Sequence, residues 1–194
     1  MNNKLFVKEL KKQIGRRYAL GGGQMKTYQG LNNLDKDGNW VGFDCCGGIM
    51  YAWKQVTGIN LPIRNVPGMM KAPWLEDLYY ELHLEEGDII FVDIPARDSN
   101  GDVMYDLDGY PVYGVWNHVM TFVGKDVYST DKNNIITTEG SGGDFRFNPK
   151  SKTTTRYWDL ESFKKVSGHI FQDVTRYKYF RINWKVFEEL KANK

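Results

Sequence analysis

Phe43-Asp44-Cys45-Cys46-Gly47-Gly48-Ile49-Met50-Tyr51-Ala52-Trp53-Lys54-Gln55-Val56-Thr57-Gly58 is the stretch that organises the rest of the chain. Asp44 is a favoured N-cap, because a carboxylate accepts the free N–H groups of a first turn. Ile49, Ala52, Trp53 and Val56 follow at i, i+3, i+4 and i+7, which gives one apolar face. Gly58 stands where a left-handed stop belongs. The pattern predicts a helix starting at Asp44 and ending at Gly58. It also places a thiol in the first turn, where unsatisfied N–H groups and the positive end of the helix dipole favour thiolate over thiol. A free cysteine is most often just a small buried hydrophobe. Placement at a helix start, beside a glycine-rich approach, points instead to a nucleophile.

Upstream, Leu5, Val7, Leu10 and Ile14 give an apolar stripe that predicts a helix over 5–15. Gly21-Gly22-Gly23 opens a loop-like stretch to Trp40, with a turn at Asp37-Gly38. Downstream, Pro62, Pro67 and Pro73 mark a loop, and a short helix is expected over 74–81. The period then changes to that of strands: Ile89 to Ile94, His118 to Val123, Asn134 to Thr138 and Tyr177 to Trp184. Asn100-Gly101 and Asp108-Gly109 are hairpin signals. Helices are expected over 159–165 and 186–192. Helices first and strands later indicate an α+β fold with N-terminal helices packed on a central antiparallel sheet.

Composition sets limits on function. The chain has 194 residues, with 26 Lys+Arg against 24 Asp+Glu and a net charge of +2. That near-balance gives no electrostatic footprint for nucleic acid. The length suits one domain with a core large enough to need no disulfide or metal staples. The expected layout is a single domain over 1–194, a hairpin insertion over about 93–116 and a C-terminal extension over about 145–194. Two adjacent cysteines exclude a disulfide framework, and with three histidines they make a structural zinc site improbable. Asp98-Asn100-Asp102 and Asp35-Asp37-Asn39 resemble the start of a calcium loop. Their sixth positions are Val103 and Trp40 rather than Gly, and their twelfth are Gly109 and Cys46 rather than Glu. Asx turns explain them better. No metal and no cofactor are expected. No apolar run approaches the ~18 residues of a membrane-spanning helix.

A cysteine nucleophile needs a base. His118 heads a predicted strand whose alternation puts His118, Met120 and Phe122 on one face. A strand-borne imidazole facing a helix N-terminus forms a Cys–His pair, which can take the thiol proton and return it to a leaving amine. His83 and His169 have no comparable setting and read as structural. A base usually has an orienting partner. The strand Ile135 to Thr138 leads into Glu139 before Gly140-Ser141-Gly142-Gly143. If this strand pairs with the His118 strand, Glu139 can meet the far ring nitrogen.

The ordered set Tyr18-Ala19-Leu20-Gly21-Gly22, Phe43-Asp44-Cys45-Cys46-Gly47, Gly87-Asp88-Ile89-Ile90-Phe91 and His118-Val119-Met120-Thr121-Phe122-Val123-Gly124 resembles the NlpC-type cell-wall cysteine peptidases. The related CHAP amidases share the plan. The resemblance covers roughly residues 1–140 and implies a papain-like fold that hydrolyses amide bonds in peptidoglycan. It implies Cys45 as nucleophile, His118 as base and Glu139 at the third position. It also implies Tyr18 at the substrate side of the site, where Asp44 and Trp116, near the motifs, are further expected substrate-binding residues. The family's Asp-Cys-Ser-Gly motif reads Asp44-Cys45-Cys46-Gly47 here, so Cys46 replaces a small packing serine.

The leading expectation is a peptidoglycan hydrolase whose partner is a wall peptide, with no nucleic acid and no integral membrane segment. Charges at Lys8 and Glu9 interrupt any signal-peptide core. The expected setting is therefore cytoplasmic synthesis followed by action on the wall after release, as a phage-type lysin or a virion-associated hydrolase. A thiol acyltransferase or amidase on another substrate uses the same residues, and a catalytically inactive peptide-binding scaffold is the non-enzyme alternative.

Overall fold

The computed structural model describes residues 2–61, 63, 65–100, 102–113, 117–125, 132–138, 144–171 and 175–192. In chain order the elements are α1 (Asn2–Lys11), β1 (Thr27–Tyr28), β2 (Leu31–Asn32), α2 (Cys45–Thr57), α3 (Val66–Met70) and β3 (Leu75–Asp77). After a single 3-10 turn come β4 (Ile89–Asp93), β5 (His118–Phe122), β6 (Ile135–Thr138), β7 (Thr155–Trp158), α4 (Leu160–Phe171), β8 (Arg176–Ile182) and α5 (Trp184–Ala192).

Six strands form one sheet in the order β3-β8-β4-β5-β6-β7, and every pairing is antiparallel. Side chains on a strand alternate between faces. Ile89, Phe91, Val119, Ile136, Phe180 and Ile182 point to one side, where they bury Phe6, Val7 and Leu10 of α1 and Ile49, Ala52 and Trp53 of α2. Ile90, Val92, Met120, Phe122 and Ile135 point to the other, where Leu160 and Phe163 of α4 cover them. β4 is buried along its whole length because both faces are covered. The N-terminal helices thus lie on the sheet as the sequence indicates, and α4 adds a layer behind it.

One element differs from the sequence reading. The short helix expected over 74–81 is instead strand β3, followed by a loop. Leu75, Glu76 and Asp77 pair with Ile182, Arg181 and Phe180, so sheet pairing overrides a weak local helical preference. The segment after 145 also enters the sheet. It supplies β7 at one sheet edge and β8 between β3 and β4. β8 carries the Arg181 side chain that pairs with buried Asp88 at 2.9 Å. The Asx turns hold: Asp35 accepts the N–H groups of Asp37 and Asn39, and Asp98 accepts those of Asn100 and Asp102. Among the described residues no helix is long and apolar enough to cross a membrane.

Candidate active site

α2 starts where Asp44 caps it. Asp44 is extended, with φ −88° and ψ −178°, and accepts the Gly47 N–H at 2.5 Å. The same carboxylate accepts the Gly21 N–H at 2.8 Å and the Gln24 side-chain amide at 3.0 Å. One residue therefore caps the helix and anchors the glycine loop. The contact between them is backbone on backbone. A Cβ on Gly47 would sit 1.7 Å from the Gly22 carbonyl oxygen, and one on Gly23 would sit 2.4 Å from that of Gly47. Only residues without a Cβ allow this approach. At its far end α2 stops at Gly58, which is left-handed at φ 73°.

This clamp fixes the position of Cys45, which is half-buried, beside a buried Cys46. The Cys45 thiol is held well below the usual thiol range. The largest cause is a hydrogen bond from the Cys46 side chain; a hydrogen bond with His118, the charge of that imidazole and the Val119 N–H add to it, against the cost of burial. Cys46 is pushed well above the usual range by the same hydrogen bond and by burial. The proton of the pair therefore stays on Cys46 and leaves Cys45.

His118 opens β5, opposite Val92 of β4. Its Nε2 lies 2.8 Å from the Thr137 hydroxyl. Its ring stacks on Phe163 of α4, with centroids 6.0 Å apart and planes 18° from parallel. Thr137 engages one ring nitrogen, so the other is left for Cys45. With Nε2–H donating to Thr137, Nδ1 carries the lone pair that a thiol proton needs.

Tyr18 is joined to the motif by a parallel bridge to Phe43. Burial, and then the negative charge of Cys45, Asp44 and Asp144, push its phenol far above the usual range. The hydroxyl therefore stays protonated beside the thiol. Burial and the adjacent Cys45 also push the Asp44 carboxyl up to about 7, against the three N–H groups it accepts.

The structure thus brings Cys45, His118, Asp44 and Tyr18 together. Glu139 and Trp116 lie outside the described residues. β6 does pair with β5, with Thr137 opposite Met120. His83 sits on the 3-10 turn, its ring edge-on to Tyr80 and its carbonyl accepting Arg181. The His169 side chain lies outside the described residues. Among the described residues no three His, Cys, Asp or Glu converge as a metal site.

Three contributors escaped sequence reasoning. Thr137 shares the His118 face by strand alternation, a signal present in the sequence once the register is known. Phe163 comes from a distant helix and gave no local cue. The third is a latch made by Asp144 and Arg146. Arg146 pairs with Asp144 at 2.5 Å and also donates to Asn33 at 2.6 Å and to the Leu20 carbonyl at 3.0 Å. Asp144 in turn accepts the Leu20 N–H at 2.8 Å, which ties the glycine loop to the segment before β7.

No protein-family model matches the chain, and no curated sequence matches it significantly. Solved structures do resemble it. RipD of Mycobacterium tuberculosis, a non-catalytic NlpC/p60 domain protein adapted to peptidoglycan binding, aligns at TM-score 0.51 and 16% identity. The alignment covers 93% of this chain and 97% of RipD. A hypothetical invasion protein of the same organism aligns at TM-score 0.50 and 18% identity, covering 93% of this chain and 62% of that one. The peptidoglycan hydrolase RipB, also of that organism, aligns at TM-score 0.46 and 21% identity, and the match spans 58% of its chain. The fold is the papain-like NlpC/p60 fold.

Proposed function

We propose that the protein hydrolyses an amide bond in a peptidoglycan stem peptide or cross-bridge, with Cys45 as nucleophile and His118 as base. The observation that carries this is the first-turn thiol of α2, held below the usual thiol range by Cys46 and by His118, whose Nε2 lies 2.8 Å from the Thr137 hydroxyl. The wall substrate is supported by the fold shared with NlpC/p60 domains.

The Cys45 thiolate attacks the amide carbon and forms a C–S bond. The carbonyl oxygen takes up negative charge near the Cys45 backbone N–H, at the positive end of α2. The His118 imidazolium gives its proton to the amide nitrogen, the C–N bond breaks and an amine leaves. His118 then takes a proton from water, whose oxygen attacks the thioester. The C–S bond breaks, releasing a carboxylic acid and returning the thiolate–imidazolium pair. Thr137 orients the imidazole throughout. Glu139, next in sequence after β6, is proposed as a further orienting group, and Tyr18, Asp44 and Trp116 as the substrate side. The proposal extends to a phage-type lysin or virion-associated setting, tested by whether added protein lyses intact cells from outside.

Mass spectrometry of products from peptidoglycans of several cross-link types tests the reading. Wild type and Cys46→Ala should release muropeptides with a new amine and a new carboxylate, and Cys45→Ala should release none. Activity surviving in Cys45→Ala overturns the nucleophile assignment. Slow thiol labelling together with an inert wild type favours the peptide-binding scaffold. Transfer of the acyl group to an added amine in place of water favours the acyltransferase.

A further inference from the structure

The first turn of α4 is pinned to the strand that carries Thr137. The Leu160 N–H donates to the side chain of buried Asn134, just ahead of β6, at 2.8 Å. Asp159 caps the turn. Its carboxylate accepts the Ser162 N–H at 2.9 Å and the Ser162 hydroxyl at 2.6 Å, and its carbonyl accepts the Phe163 N–H at 2.8 Å. Residues three apart share a helix face, so Leu160 and Phe163 both turn onto the sheet, where both are buried.

Phe163 meets two rings there. Its own ring lies nearly parallel to the His118 imidazole, at 18° and 6.0 Å between centroids. Trp158, the last residue of β7, meets it edge-on at 88° and 5.5 Å. Trp158 is itself held, by its pairing opposite Ile135 of β6 and by the Arg156 guanidinium 4.2 Å from its ring. A fixed indole therefore braces the ring that lies along the imidazole.

The imidazole needs such a restraint. Rotation about the Cβ–Cγ bond of a histidine has broad minima, so backbone placement alone does not set the ring plane. Thr137 holds one atom of the ring, Nε2, at 2.8 Å. A ring held at one atom can still tilt about it, and a flat aromatic surface along the ring removes that freedom. Phe163 has no donor, acceptor or nucleophile, so its effect on the chemistry passes through His118. A misplacement of about 1 Å at a reacting group can cost about a hundredfold in rate.

We propose that Phe163 is a positioning residue: its ring, braced by Trp158, fixes the plane in which His118 meets Cys45. This role rests on the Cys45–His118 pair proposed above. It makes β7 and α4, from the C-terminal segment, part of the machinery of the site.

Three variants test it. Phe163→Leu and Phe163→Met remove the ring and refill the space with apolar atoms, whereas Phe163→Tyr keeps the ring. Circular dichroism and melting identify the folded variants. The readouts are kcat and KM on soluble peptidoglycan fragments, and the rate of iodoacetamide alkylation of Cys45 at about pH 6.5, below the ordinary thiol range. Either ringless variant should lower kcat about tenfold with KM unchanged, and slow alkylation about fivefold. Phe163→Tyr should restore both. In a His118→Ala background Phe163→Leu should slow alkylation no further, because its effect runs through the imidazole. The role is overturned if a folded ringless variant keeps wild-type kcat and alkylation, or if the loss lies in KM. It is also overturned if folded Phe163→Tyr loses as much as Phe163→Leu, or if Phe163→Leu slows alkylation equally without His118. An inert wild type whose Cys45 alkylation follows the expected pattern sinks the proposed hydrolysis alone. Wall hydrolysis with kcat unchanged in folded Phe163→Leu sinks the positioning role alone.

Discussion

Gly47→Ala should damage the protein, whereas Gly48→Ala, one residue on, should not. Both glycines lie in the first turn of α2, where replacing Gly by Ala gains about 1 kcal/mol of helix propensity. The surroundings decide the outcome. A Cβ at 47 would meet the Gly22 carbonyl oxygen at 1.7 Å, where a tolerable contact needs 3.0 Å or more. The neighbour is backbone tied to the Asp44 cap, so it cannot swing aside as a flexible side chain would. Overpacking of this kind costs about 3 kcal/mol. Net of the propensity gain, Gly47→Ala loses about 2 kcal/mol. For a domain of this size that lowers the melting temperature by about 4–8 °C. A Cβ at 48 would meet the Thr138 hydroxyl at 3.6 Å, an ordinary contact, so Gly48→Ala should be neutral or slightly stabilising. Thermal denaturation of the two variants, with alkylation of Cys45 as a second readout, checks this. If the two variants melt together, or if Gly47→Ala leaves Cys45 reactivity unchanged, the glycine loop does not position Cys45.

Thr137→Val removes the hydroxyl on His118 Nε2 and leaves the shape nearly intact. An unpaired ring N–H costs about 1–3 kcal/mol, so kcat/KM should fall about 5- to 150-fold, with the steepest loss where the thiolate–imidazolium pair forms. Arg146→Ala strands the Asp144 carboxylate, which is 1% exposed. Burial pushes that carboxyl up, but Arg146 and the N–H groups of Arg146 and Leu20 together hold it below the usual range. Its loss should cost about 3 kcal/mol or more, a fall of at least about 6 °C in melting temperature. Asp44 binds its proton more tightly when folded, at about 7 against 3.8. Its contribution is therefore complete below pH 3.8 and is lost as pH rises through about 7. The melting temperature of wild type should fall across that window relative to Asp44→Asn, which caps a helix well and does not titrate.

The elements that follow from a strong period were legible in the sequence. α2 could be read end to end because Asp44, the spaced apolar residues and Gly58 all agree, and the structure runs from Cys45 to Thr57. β4, β5 and β6 could be read because their apolar runs are short and bounded by turns. β3 could not, because three residues carry no period and only the pairing with β8 makes them a strand. β7 reads Thr155-Arg156-Tyr157-Trp158 at a sheet edge, four residues with no apolar alternation to detect. The site divides in the same way. Cys45 and His118 sit at the starts of legible elements. Thr137 required the β5–β6 register, and Phe163 required knowledge of which helix covers the far face of the sheet. The adjacent cysteines also gained a distinction that residue type alone does not make. Burial and the hydrogen bond between them keep the proton on Cys46 and free Cys45.

The most direct test of the Cys45–His118 pair is the pH dependence of iodoacetamide alkylation, with the modified residue located by peptide mapping. Thiolate alone is alkylated, so the rate at each pH reports the ionised fraction. Cys45 should be labelled first, at a rate that has levelled off well below the ordinary thiol range near about 8.5, with Cys46 unlabelled. His118→Ala should move that rise upward in pH. A Cys45 that titrates in the ordinary range, or a Cys46 that reacts faster, would contradict the assignment of nucleophile and base.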